Sequence, residues 1–139
     1  MSAVEVVGQR GLLDTSVVIA LEELRPDQLP AEMAISALTL AELAAGPHAT
    51  DDEHERARRQ DRLQRVEAIL DPLPFDAPAA RAYARVFAAT KAAQRKARGA
   101  RAVDLMIAAV ALANGLALYT RNARDFDHLD VVGLDLRVV

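Results

Sequence analysis

Asp14, Glu42, Asp104 and Asp125 share one property. Each lies at or near the start of a predicted helix, and Asp14 and Asp125 also follow predicted strands. The C-terminal ends of strands are where open α/β sheets bind their ligands, so carboxylates in these places could converge. Three or more like charges in one small volume raise each other's pKa unless a cation joins them. The chain has no cysteine, and its histidines stand only at 48, 54 and 128. Oxygen ligands alone favour a hard octahedral ion, Mg²⁺ or Mn²⁺ rather than Zn²⁺. Such an ion activates a water and stabilises the charge that builds on a phosphate during in-line displacement. Thr15, Ser16, Thr120 and Asn122 add neutral donors and acceptors that could orient that water or a non-bridging oxygen.

Each acid also has a purely structural explanation. Asp14 can cap a helix, and Glu42 can close a capping box with Thr39. Asp104 can answer the dipole of a helix's first turns, and Asp125 can cap the turn at 122–126. Together these explanations leave the common placement to coincidence. Asp104 is the hardest to dismiss, because Leu105–Ala113 is apolar all round and such a helix is buried. A carboxylate beside a buried helix is costly unless it is paired or binds a metal. Arg101, three residues earlier, is the ordinary partner on offer.

The elements that must position these residues follow from local pattern. Leu12-Leu13, preceded by glycine, suits a strand buried on both faces, with Asp14-Thr15-Ser16 opening a helix to about Leu24 that Arg25-Pro26 closes. Met33–Ser36 reads as the second strand. A short helix capped at Thr39 stops at Gly46-Pro47, and a third helix opens with the capping pattern Thr50–Glu53. Leu63, Val66 and Leu70 give that third helix an apolar stripe, and Pro72 ends it. Residues 73–76 suit a short edge strand. Pro78 opens a long helix to about Lys96, with Tyr83, Val86, Phe87 and Thr90 at helical intervals, and Gly99 breaks it. A fifth helix spans about Arg101–Asn114, followed by a strand at 116–120, a polar turn and short helix at 121–126, and one or two edge strands in 131–139. Val4, Val6 and Val7 could extend the first strand from a loose lead-in over residues 1–10. Alternating strands and helices imply right-handed crossovers and a mostly parallel sheet flanked by helices on both faces, one α/β domain over residues 1–139.

Composition narrows the function classes. Without cysteine there is no disulfide scaffold, thiolate metal site or cysteine nucleophile. The sequence is 52% hydrophobic but only 4% aromatic, so few residues could stack on bases. No signal peptide is visible, and the longest uncharged apolar run is too short to cross a bilayer. A soluble cytoplasmic protein is the expectation. Net charge is −3, yet no acid stands between Ala77 and Val103, where Arg81, Arg85, Lys91, Arg95, Lys96, Arg98 and Arg101 are all basic. This local positive surface is either a solvated helix face or a nucleic-acid contact.

Leu-Leu-Asp-Thr-Ser at 12–16, Leu-Ala-Glu-Leu at 40–43, Ala-Val-Asp-Leu-Met-Ile-Ala-Ala-Val-Ala at 102–111 and Leu-Tyr-Thr-Arg-Asn-Ala-Arg-Asp-Phe at 118–126 resemble the PIN domain. More closely they resemble the VapC-type toxins of bacterial toxin–antitoxin modules. The resemblance implies a Mg²⁺- or Mn²⁺-dependent endoribonuclease with a central parallel sheet. It also implies a homodimer and a VapB-type antitoxin whose C-terminal segment lies in the active-site groove. By motif, Asp14 and Asp104 correspond to the primary metal ligands, Glu42 to a third acid acting directly or through water, and Thr120 to a hydroxyl before the last acidic position. Some relatives carry that last acid two residues after the hydroxyl, where this chain has Asn122. Asp125 is the nearest acid, so both residues stay in play. Arg95, Lys96, Arg98 and Arg101 are the candidates for holding the RNA backbone, by charge and without reading sequence.

Two rivals exist. A haloacid dehalogenase-type phosphatase also puts an aspartate after its first strand, but it needs a second one where this chain has Ser16. A non-catalytic PIN-like module would keep the groove only for a protein partner, and the presence of all three central acids counts against it.

Overall fold

The computed structural model describes residues 10–139, so Val4, Val6 and Val7 lie outside the described residues. Strand β1 (Arg10–Leu13) lies at the centre of a five-stranded sheet with β2 (Glu32–Ser36), β3 (Pro72–Leu73), β4 (Ala117–Thr120) and β5 (Leu136–Val138). The order is β3-β2-β1-β4-β5 and every neighbouring pair is parallel. The first three strands step one way from β1 and the last two step the other way. The crevice at the C-terminal ends of β1 and β4 is therefore the switch point at which such sheets bind ligands.

Side chains alternate across the sheet as strand geometry demands. Leu12, Ala34 and Leu118 face one core, shared with Phe126, Leu129 and the helices α4 (Ala77–Ala92) and α5 (Ala100–Ala113). Leu13, Ile35 and Tyr119 face a second core, built with α1 (Thr15–Ile19), α2 (Ala37–Ala45) and α3 (Glu53–Ile69). Both faces are covered, as the sequence pattern predicts. In α5, Leu105 and every residue from Ile107 to Ala111 are fully buried. Among the described residues no helix is long and apolar enough to cross a membrane.

Several boundaries differ from the sequence reading. The first helix ends at Ile19 rather than Leu24, because the β-branched run Val17-Val18-Ile19 supports little more than one turn. Short 3₁₀ turns at Leu21–Glu23 and Pro26–Gln28 carry the chain onward. Helix α2 is capped by Ser36, not Thr39: the last residue of β2 already has the extended backbone a cap requires. Asp52, not Thr50, caps α3. Helix α4 stops at Ala92, short of Lys96, where Gln94 turns to a positive φ of 59°. Of the residues at helical intervals in α4, Val86 and Thr90 are fully buried and Phe87 is exposed. Val131 and Val132 belong to a 3₁₀ turn, leaving β5 as the one edge strand found in the tail.

Gly11 matters sterically. A Cβ there would lie 2.5 Å from the Tyr119 ring. Gly11→Ala is expected to push apart β1 and β4, the two strands that position the site. The cost is about 1–3 kcal/mol, a fall of several degrees in Tm readable by calorimetry, and an unchanged Tm would refute the contact's importance.

Candidate active site

Asp14 directly follows β1 and is only 4% exposed. It does cap α1: Oδ1 accepts from the backbone N–H of Val17 (3.1 Å). The same oxygen accepts from Ser16 Oγ (2.6 Å), while Oδ2 accepts from Thr120 Oγ1 (2.5 Å) at the end of β4. The protons are committed. Thr120 Oγ1 accepts from the Asn122 N–H (3.0 Å) and Ser16 Oγ from the Arg121 N–H (3.2 Å), so each hydroxyl's single hydrogen is left for Asp14. Capping and site placement are thus the same fact, since the strand end that opens α1 is also the wall of the crevice. Of the neutral residues picked out from the sequence, Ser16 and Thr120 orient Asp14 directly, and Asn122 supports Thr120 through its backbone.

Glu42 lies on the exposed side of α2. The capping box expected with Thr39 does not form, because Ser36 has taken the cap. The carboxylate instead reaches α1, where Thr15 Oγ1 donates to Oε1 at 2.5 Å.

Asp104 lies in the second turn of α5, partly buried. Its pKa is raised from 3.8 to about 6, first by burial and then by the charges of Asp125, Glu42 and Asp14, with Arg101 opposing. The other three acids singled out in the sequence are thus near enough to Asp104 to act on its charge. Arg101 is not the partner of Asp104. It pairs with Asp125 (2.7 Å), which the 3₁₀ turn Ala123–Asp125 brings to its guanidinium. Asp125 does not cap that turn; Asn122 occupies the cap position without a side-chain bond.

Each of Asp14, Glu42 and Asp125 is held by its own donor, which keeps the like charges apart. Among the described residues, no group of three or more acidic or histidine side chains is arranged to hold an ion directly. The donor chemistry suits a hard cation. The open spacing suits one that retains much of its water, as Mg²⁺ does when bound through one or two carboxylates.

The basic residues divide. Arg95 binds Asp127 (2.9 Å) and the Arg124 carbonyl, and Arg101 binds Asp125, so both are engaged within the fold. Lys96 and Arg98 are exposed in the loop between α4 and α5. Sequence reasoning missed the buried hydroxyls behind Glu42: Thr39 lies beside Thr15, and Ser36 beside Thr39. Their spacing before Glu42 registers only as capping.

The family model described as the PIN domain matches residues 11–132. Ribonuclease VapC5 of Mycobacterium tuberculosis is 39% identical over 123 residues, covering 86% of this chain and 87% of its own. Ribonuclease VapC1 of Rickettsia felis is 30% identical over 132 residues, covering 92% and 95%. The crystal structure of VapBC-5 from Mycobacterium tuberculosis, a member of the VapBC family of toxin–antitoxin systems, superposes with a TM-score of 0.80 at 36% identity, covering 94% of this chain and 98% of that one.

Proposed function

The chain belongs to the PIN-domain family, and from that premise we propose that it is the ribonuclease toxin of a VapBC-type pair, cutting RNA phosphodiesters under the restraint of a VapB-type antitoxin. The observation that carries this reading is the match of the PIN-domain model to residues 11–132; it is supported by Asp14 at the end of β1, tied to β4 through Thr120, and by the raised carboxyl of Asp104. Asp14 and Asp104 are the residues we assign to hold Mg²⁺ or Mn²⁺, with Glu42 acting through water, since no three acids are arranged for direct ligation among the described residues. Bound there, the ion supplies the positive charge that activates a water and offsets charge developing on the phosphate. The chain's own contribution is placement. Three donors fix Asp14 in one orientation and still leave one of its roughly four acceptor sites, on Oδ2, unshared. Asp125, foremost among the acids in its effect on Asp104, is our choice over Asn122 for the last acidic position. Among the described residues Lys96 and Arg98 form no ion pair and can meet the RNA backbone by charge, whereas Arg95 and Arg101 would first have to leave their acids.

The groove between α1 and α3, lined by Val18, Ile19, Val66 and Ile69 and by the charged Glu22, Arg58, Asp61, Arg62 and Arg65, is a surface we assign to the antitoxin in addition to the active-site groove. A homodimer is supported by the exposed apolar side chains Phe87 and Val131. The phosphatase rival finds no support, because Ser16, at the place of its second acid, is a hydrogen-bond donor to Asp14.

The test is cleavage of total RNA with Mn²⁺ and with EDTA, alongside Mn²⁺ titration across pH. The ion competes with the proton on Asp104, so affinity is expected to be flat at neutral pH. It should fall as pH drops through about 6, approaching about tenfold per unit below that. Cleavage that persists in EDTA would refute the reading, and an affinity that ignores pH would refute the role of Asp104.

A further inference from the structure

We propose that Thr39, backed by Ser36, is a positioning residue for Glu42 and acts through Thr15. The inference rests on the reading of Glu42 given above. Thr15 Oγ1 lies 2.5 Å from Glu42 Oε1 and 3.1 Å from Thr39 Oγ1. A threonine hydroxyl has one hydrogen and a carboxylate only accepts. The short contact claims the Thr15 hydrogen, so the bond between the two threonines must be donated by Thr39. The Thr39 oxygen in turn lies 3.4 Å from Ser36 Oγ, which donates to it. Ser36 Oγ accepts from the Thr39 backbone N–H at 3.1 Å, which fixes its place as the cap of α2. The result is a one-way row of hydroxyls, Ser36 to Thr39 to Thr15, ending on the carboxylate. Ser36 and Thr39 are fully buried, and of the two hydroxyl–hydroxyl links that of Thr39 to Thr15, at 3.1 Å, is the closer.

This row gives Thr39 work that packing does not require. A valine would fill the same space and need no partner, whereas a buried hydroxyl is costly unless satisfied. Glu42 needs the help, because it stands exposed on α2 and must be held toward the crevice against the rotamer freedom of a long side chain. The row engages Oε1 only. Among the described residues, no hydrogen bond engages Oε2, which remains for an ion or its water.

The experiment is Mn²⁺ calorimetry, with thermal unfolding in parallel, on Thr39→Val, Thr39→Ser, Thr15→Val, the double valine variant and Glu42→Gln. Thr39→Val is expected to weaken Mn²⁺ binding about tenfold, and Thr39→Ser to restore it within about twofold. In the Thr15→Val background, Thr39→Val should cost nothing further, since the row is already cut. Undiminished Mn²⁺ affinity in Thr39→Val, or a full additive loss in the double variant, overturns the proposal. If Glu42→Gln itself binds Mn²⁺ undiminished, the fault lies with the role of Glu42. If Glu42→Gln is weakened and Thr39→Val is not, the row alone is wrong. Should Thr39→Val fail to fold, NMR of the natural chain decides: a slowly exchanging Thr39 hydroxyl proton supports the row, and one exchanging as fast as a surface hydroxyl refutes it.

Discussion

Asp104→Asn is expected to lower RNA cleavage by at least about 10²–10³-fold while making the folded chain more stable near neutral pH. The two effects have one cause. Burial and the charges of Asp125, Glu42 and Asp14 disfavour the ionised form and raise the carboxyl from 3.8 to about 6. A rise of that size corresponds to about 3 kcal/mol. Water at the partly exposed carboxyl screens the charges, leaving about 1–2 kcal/mol as the cost of an ionised Asp104 in the fold. The sign follows from proton binding. Between about pH 4 and 6 the folded chain holds a proton that the unfolded chain has released, so stability falls as pH rises through that window and is flat above it. Asparagine carries no charge, so the variant should lose this slope and melt higher than the natural chain above about pH 6. It also lacks the anionic oxygen that the ion requires. Unfolding in EDTA at neutral and acidic pH reads the first effect, and RNA cleavage at saturating Mn²⁺ reads the second. A variant that cleaves normally removes Asp104 from the site. One that melts lower shows that its charge was not opposed by the neighbouring acids.

The sequence is explicit wherever a single residue type decides a local question. The apolar run after Asp104 can only be a buried helix, and the carboxylate at its start stands out for that reason. Asp14 is visible because it follows a short apolar strand and precedes hydroxyls that help to open a helix. The strands fall where apolar runs meet turn residues, and their parallel order follows from the intervening helices. Pairings across the fold are another matter. Arg101 is three residues from Asp104 and would be its partner on a helix surface, yet tertiary structure offers it Asp125 instead. Thr39 and Ser36 both satisfy capping rules. Which one caps depends on where β2 stops being extended, and local pattern does not fix that to a residue. Once Ser36 takes the cap, the Thr39 side chain is free to meet Thr15 on a different helix, 24 positions away. The row that holds Glu42 could not be read before α1 and α2 were placed side by side.

Asp14→Asn should lose cleavage as fully as Asp104→Asn, but with stability moving the other way. Asp14 is almost wholly buried and accepts from Val17 N, Ser16 Oγ and Thr120 Oγ1. Both hydroxyls already accept a backbone N–H, so their hydrogens have no free direction but toward the carboxylate. An amide nitrogen in place of either oxygen sets donor against donor. One of these buried bonds must break, at a cost of about 1–3 kcal/mol. The bond from Thr120 also ties the end of β4 to the end of β1, so the lost rigidity falls on the crevice itself. Unfolding by denaturant measures the stability change, and cleavage at saturating Mn²⁺ under conditions where both proteins are fully folded measures the chemical one. If Asp14 were only a cap, cleavage by the folded variant would be intact. If it were only a ligand, stability would rise or stay level, as for Asp104. The expected joint loss distinguishes a carboxylate that both fastens the two central strands and faces the substrate from one that does either alone.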